Sequence, residues 1–214
     1  MNHFLFISLA LALITTPLTA KQTISAPIKD NVKLLQVPII RQSNPYSCGP
    51  ASLLSVLYYW KISSEGEMFF HEPLKVDKEL GTHPVAIAEF AKTLGLKVAL
   101  KTGVTLSEIE MAIDRKEPVI VDYQAWEESE TKDYSAIWNS GHYGVVIGYD
   151  SVNFYFMDPV LGTSYGKLEK KDFLNRWHDL ETINNKIEYF IQSAIFISGV
   201  EKLSSFPSDI EPIK

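Results

Sequence analysis

Stretches with helical apolar spacing come first in this chain and strand-like stretches come later, an order that constrains the fold more than any single residue. Ala51–Trp60 sets Leu53, Leu54, Leu57 and Tyr58 at helical spacing, with Pro50 suited to the first helical position. Pro84–Leu94 reads as an amphipathic helix with Gly95 as its stop. Thr105-Leu106-Ser107-Glu108 is a capping-box pattern opening a third helix that runs through Arg115. After that the period changes. Pro118–Tyr123 reads as a buried strand, Tyr143–Gly148 and Asn153–Met157 as a strand pair, and Glu188–Ile197 as an apolar strand, with one helix at Lys170–Trp177. Leu34–Ile40 and Lys97–Leu100 are further short strands, Ile62–Leu80 is loop or short helix, and Gln124–Gly141 is an acidic, aromatic loop. Helices mainly early and antiparallel strands mainly late specify an α+β fold rather than a doubly wound sheet.

The ends of the chain bear on compartment. Phe4–Ile14 is almost wholly apolar, and Thr15-Thr16-Pro17-Leu18-Thr19-Ala20 adds small residues and a helix breaker, the pattern of a signal peptide cleaved after Ala20. About eleven apolar residues are too few to span a bilayer. The expectation is an exported protein, periplasmic or extracellular, with no stable membrane insertion after signal cleavage. Residues 1–20 are then the signal peptide, 21–33 a polar lead-in, 34–198 a single domain and 199–214 a polar tail. Net charge is −6 with no Lys/Arg cluster, which argues against nucleic acid as a partner. Oligomeric state is not readable from the residues.

Cys48 is the chain's single cysteine, so no intramolecular disulfide can form, and a free thiol in an oxidising space points to a use for it. It lies in Gln42-Ser43-Asn44-Pro45-Tyr46-Ser47-Cys48-Gly49-Pro50-Ala51, at the start of the first helix. The positive end of a helix favours a thiolate, the form that acts as a nucleophile. The competing reading is a small buried hydrophobe with an inert thiol.

A cysteine nucleophile needs a base, and the base needs an orienting group. His3 leaves with the signal peptide, His71 and His178 read as surface residues, and His83, before Pro84, as a helix-capping or loop residue. His142 stands between Gly141 and the strand Tyr143–Gly148, where a substrate could approach; the alternative is a partly buried structural histidine. If Tyr149-Asp150-Ser151 forms a three-residue turn, Gly148 faces Val152 and His142 lies opposite Asp158, with β-carbons roughly 5 Å apart. Asp158 could then accept the imidazole N–H. Asp150 is the rival carboxylate, though a turn aspartate ordinarily caps its own backbone.

With Gln42-x5-Cys48-Gly49-Pro50-Ala51, Gly141-His142-Tyr143 and Met157-Asp158-Pro159 in this order, the chain resembles the bacteriocin-processing cysteine peptidases, cysteine-peptidase family 39 of the papain-like clan. The resemblance spans about Leu34 to Ile197. It implies a papain-like fold in which an N-terminal helix carrying the nucleophile packs on an antiparallel sheet. It also implies Cys48 as nucleophile, His142 as base, Asp158 as orienting residue and Gln42 as an oxyanion donor beside the Cys48 amide, acting on a peptide or protein substrate. Ser47 departs from the acidic residue that often precedes the nucleophile, and no G-x-x-x-x-G-K-[ST] motif is present. The expected chemistry is peptide hydrolysis through a thioester, with no metal and no cofactor. A cell-wall peptide amidase or acyl transferase on the same framework, a non-catalytic peptide-binding module, and a structural envelope protein with Cys48 in its core are the alternatives. Trp126, Glu127, Glu128, Glu130, Tyr134 and Trp138 could wall the substrate, or form an ordinary acidic surface loop.

Overall fold

In the computed structural model, residues 32–63, 65–126, 133–183 and 186–201 are described. The segment expected to be a signal peptide, nearly all of the lead-in, Glu127, Glu128 and Glu130 of the acidic loop, and most of the tail lie outside the described residues.

Among the described residues four α-helices form where the spacing places them: α1 (Cys48–Tyr59), α2 (Pro84–Thr93), α3 (Leu106–Asp114) and α4 (Lys170–Arg176). The ends follow from local chemistry. The His83 ring accepts the Val85 N–H at the start of α2, and Gly95 at φ 78° lets the chain turn away beyond its end. Thr105 and Glu108 complete their capping box at α3. α1 is apolar on nearly all sides, and Ala51, Leu53, Val56 and Leu57 are fully buried. Its two inner serines are satisfied: Ser52 donates to the Tyr143 carbonyl at 3.2 Å and Ser55 to that of Pro38 at 2.7 Å. Truncating one of its buried leucines to alanine would cost about 2–5 kcal/mol.

The strands are β1 (Lys33–Leu34), β2 (Lys97–Lys101), β3 (Val119–Gln124), β4 (Gly141–Tyr149), β5 (Asn153–Met157), β6 (Gly166–Glu169), β7 (His178–Ile183), β8 (Lys186–Ile191) and β9 (Ala194–Ser198). Seven form one antiparallel sheet in the order β2-β9-β3-β4-β5-β6, with β1 on the far end of β4; β7 and β8 form a separate hairpin. Gly148 admits β1, because a β-carbon there would overlap the Lys33 carbonyl. The core lies between α1, α2 and this sheet, where Val119, Val145, Ile147 and Ile197 are fully buried. A helix that begins at Cys48, packed on an antiparallel sheet, is the expected α+β, papain-like arrangement.

Two strand expectations are corrected. Leu34–Ile40 pairs only at Lys33–Leu34; Leu35 gives one further bond to the Ile147 carbonyl before the chain leaves the sheet toward Pro38. Glu188–Ile197 is two strands, broken where Gln192 takes φ 49° and donates to the Trp177 carbonyl. β6 and β7 carry too little apolar alternation to be read in advance.

Candidate active site

Cys48 is the first residue of α1 and is 8% exposed. Ser47 precedes it, and its hydroxyl turns back to the Asn44 carbonyl at 3.2 Å instead of capping the helix. The first-turn N–H groups therefore keep their capacity for an incoming oxyanion. Gly49 is required by crowding, since a β-carbon there would stand 2.8 Å from the Thr82 β-carbon.

The segment ahead of the helix is held from two directions. Ser43 gives its N–H and hydroxyl to the buried Glu67 carboxylate at 2.8 and 2.7 Å, and that carboxylate also meets His71 at 3.1 Å. Gln42 gives its backbone N–H to the Pro159 carbonyl at 3.0 Å, so the Gln42 segment abuts the loop that follows Asp158. The Gln42 amide spends one proton on the Asn44 carbonyl at 2.8 Å, and its Oε1 is buried without a partner. A second amide proton is left to donate.

His142 is buried on β4, and its Nε2 meets Asp158 Oδ1 at 3.1 Å. Asp158 also accepts the Val160 N–H at 2.8 Å and the Tyr123 hydroxyl at 2.9 Å. Burial pushes the Asp158 carboxyl up, but these donors outweigh it and hold the group below its usual range. His142 shows the complementary effect. Burial alone would lower it, yet Asp158 and the Cys48 sulfur raise it to about 9. Nδ1, the ring's other nitrogen, is buried with no partner of ordinary hydrogen-bond geometry, and the Cys48 sulfur is near enough to raise the imidazole by both charge and hydrogen bonding. Resting geometries of this kind commonly tighten only when substrate arrives.

The expected register is corrected even though the pair meets. Asp150 accepts the Val152 and Asn153 N–H groups, so it caps its own turn, and Asp150 pairs with Asn153 across a shorter turn than assumed. Val145 faces Met157 and a bulge interrupts the ladder at Ile147. Counting on from Val145–Met157, Asp158 falls opposite Gly144, the diagonal neighbour of His142 on the same face.

Several contributors carried weaker signals. Tyr123 pairs with His142 across β3 and β4, packs on it edge-on at 5.6 Å and tethers Asp158; the sequence reads it only as the end of a buried strand. Trp126 stands edge-on to His142 at 4.8 Å and shields the histidine–aspartate pair while remaining half-exposed. Trp138 stacks against His178 at 4.4 Å. His178 itself is buried, not a surface residue, because its ring meets the Ile137 carbonyl at 2.7 Å. On another side of Cys48, Asp122, Asp179 and Glu181 bring carboxylate oxygens within 4.8 Å of one another, the one group among the described residues with the donors to hold a metal ion. Asp122 is not among the residues the sequence singles out; its one signal there is to be the single charge inside an apolar strand.

Comparison with known proteins agrees with this arrangement. The model of the peptidase C39-like family matches residues 34–184, most of the chain. No curated protein matches. A crystal structure described as a C39-like peptidase from Bacillus anthracis superposes with a TM-score of 0.61 at 18% identity, over 81% of this chain and 100% of that one. A double-glycine-motif protease from an AMS/PCAT transporter, in complex with a leader peptide, gives 0.55 at 19% identity over 78% and 94%. The peptidase domain of Streptococcus ComA, a bifunctional ABC transporter, gives 0.54 at 23% identity over 75% and 97%. Among the described residues no helix is long and apolar enough to cross a membrane. A family match over most of the chain, on a fold these structures share, settles one point: the chain belongs to the peptidase C39-like family.

Proposed function

We propose that the protein is an exported cysteine peptidase acting through Cys48, His142, Asp158 and Gln42. One observation carries this reading. The His142 ring has one nitrogen on an aspartate with three donors, while the other is buried and under the influence of the cysteine sulfur. The Cys48 thiol proton passes to His142 Nδ1, and Sγ attacks the carbonyl carbon of the scissile bond. The oxyanion is stabilised by the Cys48 N–H and the Gln42 amide. His142 returns the proton to the leaving amine as the C–N bond breaks, which leaves a thioester on Cys48. His142 then takes a proton from water, hydroxide attacks the thioester, and the acid departs as the thiol re-forms. Asp158 keeps the Nε2–H in place throughout and offsets the imidazolium charge.

The leader peptide bound to the double-glycine-motif protease supports a peptide as the substrate. Export is supported by the apolar Phe4–Ile14 run and the small residues ending at Ala20. The test is incubation of the protein with a mixed peptide pool, followed by acid quench and mass spectrometry. Cleavage products and an acyl adduct on Cys48 are expected, and Cys48→Ala should give neither. Equal cleavage by Cys48→Ala would remove Cys48 from the reaction.

A further inference from the structure

A cavity of about 370 Å³ opens beside Cys48, lined by Asp122, Tyr143, Thr82, Asp179 and Glu181. Three facts about it go together. Asp122 is 2% exposed, and among the described residues no hydrogen-bond donor reaches either oxygen of its carboxylate. The Tyr143 and Thr82 hydroxyls belong to other segments, are equally buried, and also lack a partner. Asp179 accepts Gln124 Nε2 on one oxygen at 3.0 Å, and the Leu180 N–H also favours its charged form. A buried polar atom without a partner is costly, and four of them, on three residues lining one cavity beside a nucleophile, describe a site awaiting a ligand with donors. The surrounding charge defines the ligand's sign. Burial and mutual repulsion press protons onto the carboxylates, and Glu181 is pushed up to about 8 by burial and by Asp179. The lining's one cation, Lys78, lies exposed at the rim. The remaining walls, Tyr46, Trp138 and Leu180, suit an aliphatic stem.

We infer that this cavity is a specificity subsite for a cationic side chain, an alkylammonium or guanidinium on the residue flanking the bond that Cys48 attacks. The stem lies along Tyr46, Trp138 and Leu180. The charged head donates to Asp122, Asp179 and Glu181, and the two free hydroxyls accept its remaining protons. The inference rests on the peptidase reading for its substrate, but the site can be tested without turnover.

The experiment measures the rate of Cys48 modification in the full protein by aminoethyl, methyl and sulfonatoethyl methanethiosulfonate, each divided by its rate with free cysteine. At low salt and about pH 8, the cationic reagent should outrun the anionic one by about tenfold or more, with the neutral reagent between. The ratio should fall to within about threefold of unity in Glu181→Gln and invert in Glu181→Lys. Glu181→Ala, which also removes the charge, gives the same fall if either of those changes harms folding. Equal normalised rates in the unmodified protein, or a preference unchanged in the variants, would overturn the subsite. So would micromolar calcium or manganese abolishing the preference, because the occupant would then be a metal ion. In parallel, peptides matched except for one Lys, Leu or Glu are offered as substrates. A charge preference in labelling without cleavage of any peptide leaves the subsite standing and removes the peptidase reading. Cleavage without preference for Lys does the reverse.

Discussion

Asp158 and Asp122 lie on either side of the region around Cys48, and the same side-chain type meets opposite fates there. Asp158 collects the His142 ring, the Tyr123 hydroxyl and the Val160 N–H, and is held below its usual range. Asp122 is more deeply buried, faces Asp179 and Glu181, has no outside donor, and is pushed far above its usual range. Burial alone does not decide the charge of a carboxyl group; the number of donors aimed at it does. One side is a finished electrostatic unit, ready to support an imidazolium. The other lacks a positive charge.

The comparison can be broken first on the finished side. Cys48→Ala and His142→Ala should each reduce peptide cleavage by about 10³-fold or more, read as kcat/KM on any peptide found to be a substrate. Asp158→Asn should cost on the order of 10²-fold or more and also change the pH profile. With Asp158 present, the imidazolium persists up to about 9, so activity should decline on the alkaline side only as pH passes that value. Without the carboxylate, the decline should move to lower pH. The same histidine affects folding: a pKa raised above the unfolded value near 6.5 stabilises fully below about 6.5, and this contribution is lost as pH rises through about 9.

On the unfinished side the predicted sign reverses relative to Asp158. Asp122 and Glu181 hold protons in the folded state that the unfolded chain releases, so they lower stability as pH climbs from about 4 toward 8. Asp122→Asn should therefore raise Tm by a few degrees at about pH 8 and leave it nearly unchanged at about pH 4, measured by thermal denaturation at both values. The smallest effect is expected for Tyr123→Phe, which removes one of the three donors on Asp158. About 1–1.5 kcal/mol of support, or roughly tenfold in kcat/KM, should be lost, with the alkaline limb shifted in the same direction as in Asp158→Asn.

What could be read from the sequence divides along the same line. The helices were legible because capping residues, glycine stops and apolar spacing act locally: Thr105 with Glu108, His83 with Val85, Gly95 after α2. Cys48, His142 and Asp158 were legible as motifs at strand and helix ends, and Gln42 by its offset from the cysteine. Their meeting could not be derived from turn counting, because the bulge at Ile147 and the tighter turn at Asp150 shift the register. The acidic cavity was out of reach for another reason. It joins β3 to the β7–β8 hairpin and the 77–82 loop, and β7 reads as a polar segment until His178 and Asp179 are seen buried. Long-range juxtaposition of polar residues leaves no periodic trace.

The central claim is that Cys48 is an activated nucleophile paired with His142, and alkylation kinetics test it most directly. The rate of iodoacetamide labelling is measured from about pH 5 to 10 for the folded protein, for His142→Ala, and for free cysteine, whose thiol titrates near 8.5. Labelling of the folded protein should outpace free cysteine at about pH 6, and His142→Ala should lose that advantage. A rate and pH profile indistinguishable from free cysteine, or labelling that appears only on unfolding, would contradict the claim.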